Sequence, residues 1–95
     1  MTSKQRAYLR SMASGLDTIF QVGKQGVGAQ MTEQISNALN ARELIKIHVL
    51  ENSSVDVREA AETLAARTQS EVVTVIGNRF VLYRESKDRK RIVLP

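Results

Sequence analysis

Apolar residues recur at two different spacings along this chain, and the two spacings mark out seven segments. A helical period is found in residues 3–13, in residues 29–41 and at about residues 55–68. Short apolar or alternating runs typical of strands are found in residues 19–22, 43–50, 71–76 and 79–84. The pattern therefore predicts the element order α-β-α-β-α-β-β.

The order of these segments predicts how they pack. Helices that connect successive strands allow parallel pairing through crossovers. The two-residue link Gly77-Asn78 predicts an antiparallel hairpin between the last two strands. We therefore predict an α/β fold, with helices packed on a four-stranded mixed sheet. Residues 1–95 are expected to form a single domain that ends in a charged tail at residues 85–95.

The helical spacing also predicts which side chains are buried. In the first helix these are Leu9, Met12 and Leu16, while Lys4, Arg6 and Arg10 are expected to stay exposed. In the second helix they are Met31, Ile35, Ala38 and Leu39, and in the third they are Val57, Ala60, Ala61, Leu64 and Ala65. Thr2 with Gln5 fits a capping box, Gly28 is expected to be the N-cap of the second helix, and Ser53 or Ser54 is expected to cap the third.

The second predicted strand alternates. Its residues Ile45, Ile47 and Val49 are expected on one face, and Leu44, Lys46, His48 and Leu50 on the other. Phe20 and Phe80 are expected in the core, and the apolar triplet at residues 92–94 is expected to dock on the sheet. The aromatic residues are too few to predict recognition of bases by rings displayed on a sheet.

Positive charge is concentrated towards both ends of the chain. There are 14 Lys and Arg residues against 10 Asp and Glu, a net charge of +4. Residues 1–50 carry +3, residues 51–71 carry −3 and residues 72–95 carry +4. If the two ends meet in the fold, they form a basic surface that attracts polyanions. A scatter of solvated lysines is the alternative interpretation of the same numbers.

Side chains for catalysis or metal binding do not cluster in the sequence. There is no cysteine, the lone His48 lies in a predicted strand, and the carboxylates are dispersed. We therefore expect no enzymatic activity, no cofactor, no metal and no small-molecule substrate. The lack of cysteine and of a long apolar run fits a cytoplasmic protein without a membrane partner.

The glycine loop, Gly23, Lys24, Gln25 and Gly26, lies just before the second predicted helix. Glycine tolerates positive φ, which we expect at Gly23, and lets another backbone approach closely. Backbone N–H groups at the start of a helix, together with the charge of Lys24, can bind a phosphate group. KH modules clamp nucleic-acid backbone with a loop of this GxxG form. The loop lacks the Gly-Lys-Ser/Thr ending of a P-loop, so ATP hydrolysis is not expected.

The chain resembles the CRM family (chloroplast RNA splicing and ribosome maturation), in its bacterial single-domain YhbY type. The resemblance runs essentially end to end and rests on residues 5–10, 21–26, 43–47 and 75–84. It departs from the usual family pattern at Gly28-Ala29, where Ser or Thr is common, at Thr18, often proline, and at Gln69, often glycine.

The resemblance implies an RNA-binding protein with a fold like the C-terminal domain of a bacterial translation initiation factor. It also implies that the partners are precursor RNA of the large ribosomal subunit and pre-ribosomal particles, and that the protein assists subunit assembly. The expected RNA contacts are Gly23, Lys24, Gln25, Gly26, Lys4, Arg6, Arg10, Lys46 and Arg84. Candidate flanking contacts are Lys87, Arg89, Lys90 and Arg91. The alternative is a ribosome-associated adaptor that contacts only proteins, with its acidic third helix as the working face.

Overall fold

The computed structural model describes all 95 residues and contains the predicted elements in the predicted order. The helices are α1 (Ser3–Ala13), α2 (Ala29–Arg42) and α3 (Val57–Thr68). The strands are β1 (Thr18–Val22), β2 (Leu44–Val49), β3 (Glu71–Ile76) and β4 (Arg79–Tyr83). The α/β fold class is therefore confirmed.

The four strands form one mixed sheet in the order β1-β2-β4-β3. β1 and β2 are parallel, and β4 runs antiparallel to both of its neighbours, β2 and β3. The hairpin is confirmed, because Ile76 pairs with Arg79 across Gly77, whose φ is 58°. A positive φ at the first turn position matches the right-handed twist of the flanking strands. β4 pairs with β2 as well as with β3, so β4 lies inside the sheet and β3 forms its edge.

The larger hydrophobic cluster lies between the sheet and the pair α2 and α3. Its helical members are Ile35, Leu39, Ala60, Ala61, Leu64 and Ala65, and its strand members are Val22, Ile45, Ile47, Val49, Phe80 and Leu82. These side chains confirm the predicted faces of both helices and of β2. Phe20 is half-buried and packs against the same cluster.

The opposite face of the sheet is covered by α1 and the C-terminal tail. Leu9 and Ala13 of α1 and Ile92 of the tail are buried there against Leu44, Val73, Val81 and Tyr83. Docking of the tail is thereby confirmed for Ile92 and Leu94, while Val93 between them is exposed. The prediction that Met12 and Leu16 are buried was wrong, because they remain 40% and 37% exposed. The helix ends at Ala13, and it buries one side chain per turn, Leu9 and then Ala13.

The structure confirms the predicted N-cap residues of α1 and α2, Thr2 and Gly28, and corrects that of α3. Thr2 and Gln5 form the predicted capping box, in which each side chain bonds the other residue's backbone N–H. α3 begins later than predicted, and Asp56 caps it by accepting a 2.7 Å hydrogen bond from the N–H of Glu59. The Ser53 hydroxyl bonds the backbone of Val55 instead, so it shapes the loop before the helix.

Two residues other than glycine adopt positive φ, and both end helices. Gln69 caps the C-terminus of α3 in the left-handed region at φ 55°. Glu43, predicted to begin β2, instead caps α2 at φ 67°. Its side chain is fully buried, and this was not foreseen.

The buried carboxylate of Glu43 holds the tail in place. Oε2 accepts a hydrogen bond from the N–H of Ser86 at 2.7 Å, and Oε1 accepts from Arg91 and Ile92 at 2.6 and 2.8 Å. Burial alone would raise the pKa of Glu43, but these three donors and the nearby charge of Lys90 hold it below its ordinary value. The carboxylate is therefore charged and fully bonded inside the protein.

Candidate nucleic-acid interface

The glycine loop is a tight turn at the carboxyl end of β1. The N–H of Gly26 donates to the carbonyl of Gly23 at 3.0 Å, so Lys24 and Gln25 form the tip. Gly26 has a φ of 66°, and a Cβ added there would lie 2.9 Å from the Oγ of Ser54. The conformation therefore favours glycine at position 26, and a larger residue would also require the Ser54 hydroxyl to move. Positive φ at Gly23 was a wrong expectation, since only Gly26 and Gly77 among the glycines adopt it.

The tip of the loop presents unpaired donors. Lys24 and Gln25 are exposed, and their backbone N–H groups donate to no protein acceptor. The N–H groups of Val27 and Gly28 are also without a protein acceptor. Helix α2 begins directly afterwards, and Gly28 provides no side-chain cap. The positive end of the helix dipole is therefore left uncapped beside the loop.

A cleft of about 450 Å³ opens between this loop and α2. It is lined by Gln21, Gly23, Lys24, Gln25, Gly26, Gly28, Gln30, Met31 and Gln34. Four of these side chains are amides and none is a carboxylate. An amide both donates and accepts, so it can bind a phosphate oxygen or a ribose hydroxyl.

The amides of the cleft were largely missed in the sequence. Only Gln25 was singled out, while Gln21, Gln30 and Gln34 were not. Gln30 and Gln34 are four residues apart, which places them on one face of α2. That spacing, close to a glycine loop, is the signal that indicates a polar wall there.

Two of the arginines expected to contact RNA are bound to the protein itself. Arg6 is half-buried rather than exposed, because its guanidinium donates to the carbonyls of Val72 and Val73 and lies 3.9 Å from the carboxylate of Glu71. Arg84 donates to Ser36, Asn40 and the carbonyl of Thr68. Both side chains connect elements that are distant in sequence, so we assign them a structural role.

The structure also separates Arg84 from Lys24. The loop follows the carboxyl end of β1, which is parallel to β2, whereas Tyr83 pairs with Leu44 at the beginning of β2. A strand of six residues is about 20 Å long, so Lys24 and Arg84 lie at opposite ends of the sheet. The predicted contacts therefore do not form one compact patch around the loop.

The predicted cations of α1 and β2 lie on the α1 side of the sheet, whereas Arg89 of the tail lies beside Asn37 and Asn40 of α2. Lys4 and Arg10 are exposed on α1, and Lys46 is half-buried on the same face of β2 as Leu44. The tail carries Lys87, Arg89, Lys90 and Arg91, all exposed, and Lys90 pairs with Glu85 at 2.9 Å. The two ends of the chain do meet there, since the side chain of Gln5 donates to the carbonyl of Pro95.

No group of three or more His, Asp or Glu side chains in the structure could hold a metal ion. His48 is a half-buried residue near the end of β2, an inner strand of the sheet. None of the three helices has the length and apolar character needed to cross a membrane.

Similar proteins occur in several bacteria. A Bacillus subtilis (strain 168) protein named Probable RNA-binding protein YqeI is 52% identical over 95 residues, which are 100% of this chain and 99% of the relative. A Haemophilus influenzae protein named RNA-binding protein is 32% identical over 95 residues, covering 100% of this chain and 95% of the relative.

A solved structure and a family model agree with these relatives. The solution structure of the Staphylococcus aureus protein SAV1595, described as a candidate RNA-binding protein, is 54% identical with a TM-score of 0.82. The match covers 100% of this chain and 99% of that one. The model of the CRS1 / YhbY (CRM) domain matches residues 1–84. The chain therefore belongs to the CRS1/YhbY (CRM) domain family.

Proposed function

We propose that this chain is a non-enzymatic RNA-binding protein whose glycine loop holds the phosphate backbone of RNA. The observation that carries the proposal is the loop tip, where exposed N–H groups and a lysine without an ion pair lie beside an uncapped helix start. A phosphate there satisfies donors that have no partner within the protein. The relatives named as RNA-binding proteins support RNA as the polyanion.

The cleft beside the loop extends this contact along the RNA. Lys24 supplies charge at the tip, and Gln21, Gln30 and Gln34 supply hydrogen bonds without charge. The absence of a carboxylate from the lining removes a source of repulsion for phosphate. Amides are also suited to the ribose hydroxyl, which distinguishes RNA from DNA.

We further propose that the RNA is precursor RNA of the large ribosomal subunit and that the protein assists assembly of that subunit. This finer assignment is supported by the family resemblance rather than by the geometry of the loop. Lys4, Arg10 and Lys46 would then contact RNA on the α1 side, and the tail cations would add flanking contacts. Arg6 and Arg84 are left out because their guanidinium groups are engaged within the protein.

The test is the salt dependence of binding to protein-free ribosomal RNA. Each phosphate contact contributes about 0.7 to 0.9 to the slope of log affinity against log salt. Lys24→Gln is expected to weaken binding and to reduce the slope by about that amount. Arg58→Gln is the matched control, because it removes the same charge from an exposed position of α3 that is not among the proposed RNA contacts.

Two results would contradict the proposal. If Lys24→Gln and the control Arg58→Gln both gave the affinity and slope of the wild type, the loop would not be the phosphate site. If the wild type bound no protein-free RNA at moderate salt, the protein-interaction adaptor would be the better description. Its expected face is the acidic side of α3, where Glu59 and Glu62 are exposed.

A further inference from the structure

A row of four side chains crosses one face of the sheet at the end where the glycine loop lies. The strand register pairs Gln21 with His48, His48 with Arg79, and Arg79 with Ile76. The row therefore crosses β1, β2, β4 and β3 in spatial order. Strands are about 4.8 Å apart, so it spans about 14 Å. We call these four residues the open row.

The open row lies on the face that α1 and the tail cover only in part. Alternation along β2 and β4 places His48 and Arg79 on the same face as Leu44, Val81 and Tyr83. Those apolar residues lie towards the other end of the sheet, where α1 and the tail bury them. Three residues of the open row are exposed, with Ile76 at 67%, and His48 between Gln21 and Arg79 is half-buried.

The side chains of the open row have no competing partner in the protein. The two ion pairs of the molecule involve other arginine and lysine side chains, and Arg79 makes no side-chain hydrogen bond. No carboxylate belongs to the row. An arginine that is unpaired on an exposed sheet differs from Arg6 and Arg84, whose guanidinium groups are bound to protein oxygens.

We propose that the open row is a second RNA subsite, on which unpaired bases stack against His48 and Arg79. Imidazole and guanidinium are both planar, and both serve as stacking platforms for bases splayed out of a helix. Ile76 adds an apolar surface at the edge of the sheet, and Arg79 adds charge for the neighbouring phosphate. The scarcity of aromatic residues therefore does not remove stacking from this protein.

The open row is continuous with the cleft proposed to hold the RNA backbone. Gln21 lines that cleft and is also the first residue of the row, two positions before Gly23. A single strand of RNA whose backbone is bound at the loop can thus place its next nucleotides over β2 and β4. The inference rests on the proposed function, and it adds a preference for single-stranded over double-stranded RNA, since paired bases are stacked on one another.

The experiment compares a short single-stranded RNA with a duplex of the same length, at fixed salt. The variants are His48→Ala and Arg79→Lys, and the latter keeps the charge but removes the plane. Alanine substitution of a stacking side chain typically weakens binding about five- to hundredfold. We expect a loss in this range for the single strand with His48→Ala, and a smaller one with Arg79→Lys at an unchanged salt slope. Duplex affinity should stay within about twofold by the same reasoning.

Arg58→Lys is the control, because Arg58 is exposed on α3, on the other side of the sheet. Circular dichroism of each variant confirms that the fold is retained, and Arg79→Lys at an exposed position carries the test if His48→Ala is destabilised. If both variants keep the single-strand to duplex ratio of the wild type while Lys24→Gln still weakens binding, the open row is not a subsite and the loop remains one. If the wild type binds neither RNA, the proposed function fails as well.

Discussion

The carboxylate of Glu43 accepts a 2.8 Å hydrogen bond from the backbone N–H of Ile92, 49 residues later in the chain. Glu43 ends α2, and Ile92 belongs to the tail, so one side chain joins the middle of the chain to its end. The same carboxylate also accepts from Ser86 and Arg91. A buried charge is tolerated here because three donors replace its water.

Glu43→Gln is expected to release the tail from the sheet. The amide keeps the size of the side chain but places an NH₂ group among N–H donors, so at least one buried bond is lost. We expect a loss of about 2–3 kcal/mol in the free energy of unfolding, limited because a detached tail can hydrate its N–H groups. Urea denaturation measures this loss, and hydrogen exchange at Ile92 locates it.

Glu85→Gln is the control for the tail. It removes the same charge from an exposed residue whose ion pair with Lys90 lies in solvent. Exposed pairs contribute between about 0 and 1 kcal/mol, so this variant should unfold nearly as the wild type does. Equal stability of Glu43→Gln and Glu85→Gln would show that the carboxylate does not hold the tail.

Tail docking is expected to weaken in acid. The pKa of Glu43 is lower in the folded protein than the ordinary value of about 4.3. As the pH falls, Glu43 is therefore protonated in the unfolded chain before it is protonated in the folded protein. Its stabilisation is fully present above the pKa of the unfolded chain and is lost as the pH falls through the lower pKa of the folded protein. The stability difference between wild type and Glu43→Gln should be constant above about pH 5 and should shrink below about pH 4. Thermal unfolding of both proteins from neutral to acidic pH measures it, and a difference that grew in acid would contradict the assignment.

Local signals predicted most of the fold because they act within a few residues. The capping box at Thr2, the apolar stripe of α3 and the turn at Gly77 each depend on neighbouring positions and were read correctly. Parallel pairing of β1 and β2 also followed, since a helix lies between them. The inward position of β4 did not follow, because sheet order is decided by packing between residues far apart in sequence.

The sequence predicted only the part of the candidate site whose residues are contiguous along the chain. The glycine loop is contiguous, so its residues could be named from the sequence, whereas the cleft and the open row combine side chains from several elements. Arg6 and Arg84 show where sequence reasoning lacks tertiary information. A charged residue in a sequence suggests an exposed contact, but only tertiary structure brings the carbonyls of Val72 and Thr68 to their guanidinium groups.

Gln69→Gly is expected to stabilise the protein. Gln69 has a φ of 55°, in the left-handed region where a residue with a Cβ is disfavoured by about 1–2 kcal/mol. Glycine removes that strain, but it also makes the unfolded chain more flexible, which offsets about 0.4–1 kcal/mol of the gain in the free energy of unfolding. The net gain should be about 0.5–1 kcal/mol, which raises the melting temperature by a few degrees.

Gly28→Ala provides the contrast for this prediction. Gly28 has an extended backbone with φ −96°, and no atom lies within 4 Å of an added Cβ. Strain relief therefore does not operate at this helix end. A stability loss in Gln69→Gly, measured by thermal unfolding, would show that its side chain makes a contribution larger than the backbone strain.

Arg84→Gln is expected to lower stability and leave RNA affinity unchanged. The guanidinium joins α2 to the end of α3, with bonds of 2.7 Å to the carbonyls of Ser36 and Thr68. Hydrogen bonds to charged groups contribute about 1.5–3 kcal/mol, so the loss in the free energy of unfolding should fall in that range.

Arg84→Lys should recover only part of this stability, because an ammonium group cannot reproduce the planar fork of the guanidinium. Lys24→Gln should show the reverse, with weaker RNA binding at wild-type stability, since the Lys24 side chain is exposed and makes no ion pair within the protein. Urea denaturation and RNA titration of the two variants separate a structural arginine from a binding lysine. A drop in RNA affinity for folded Arg84→Gln as large as that for Lys24→Gln would return Arg84 to the RNA surface.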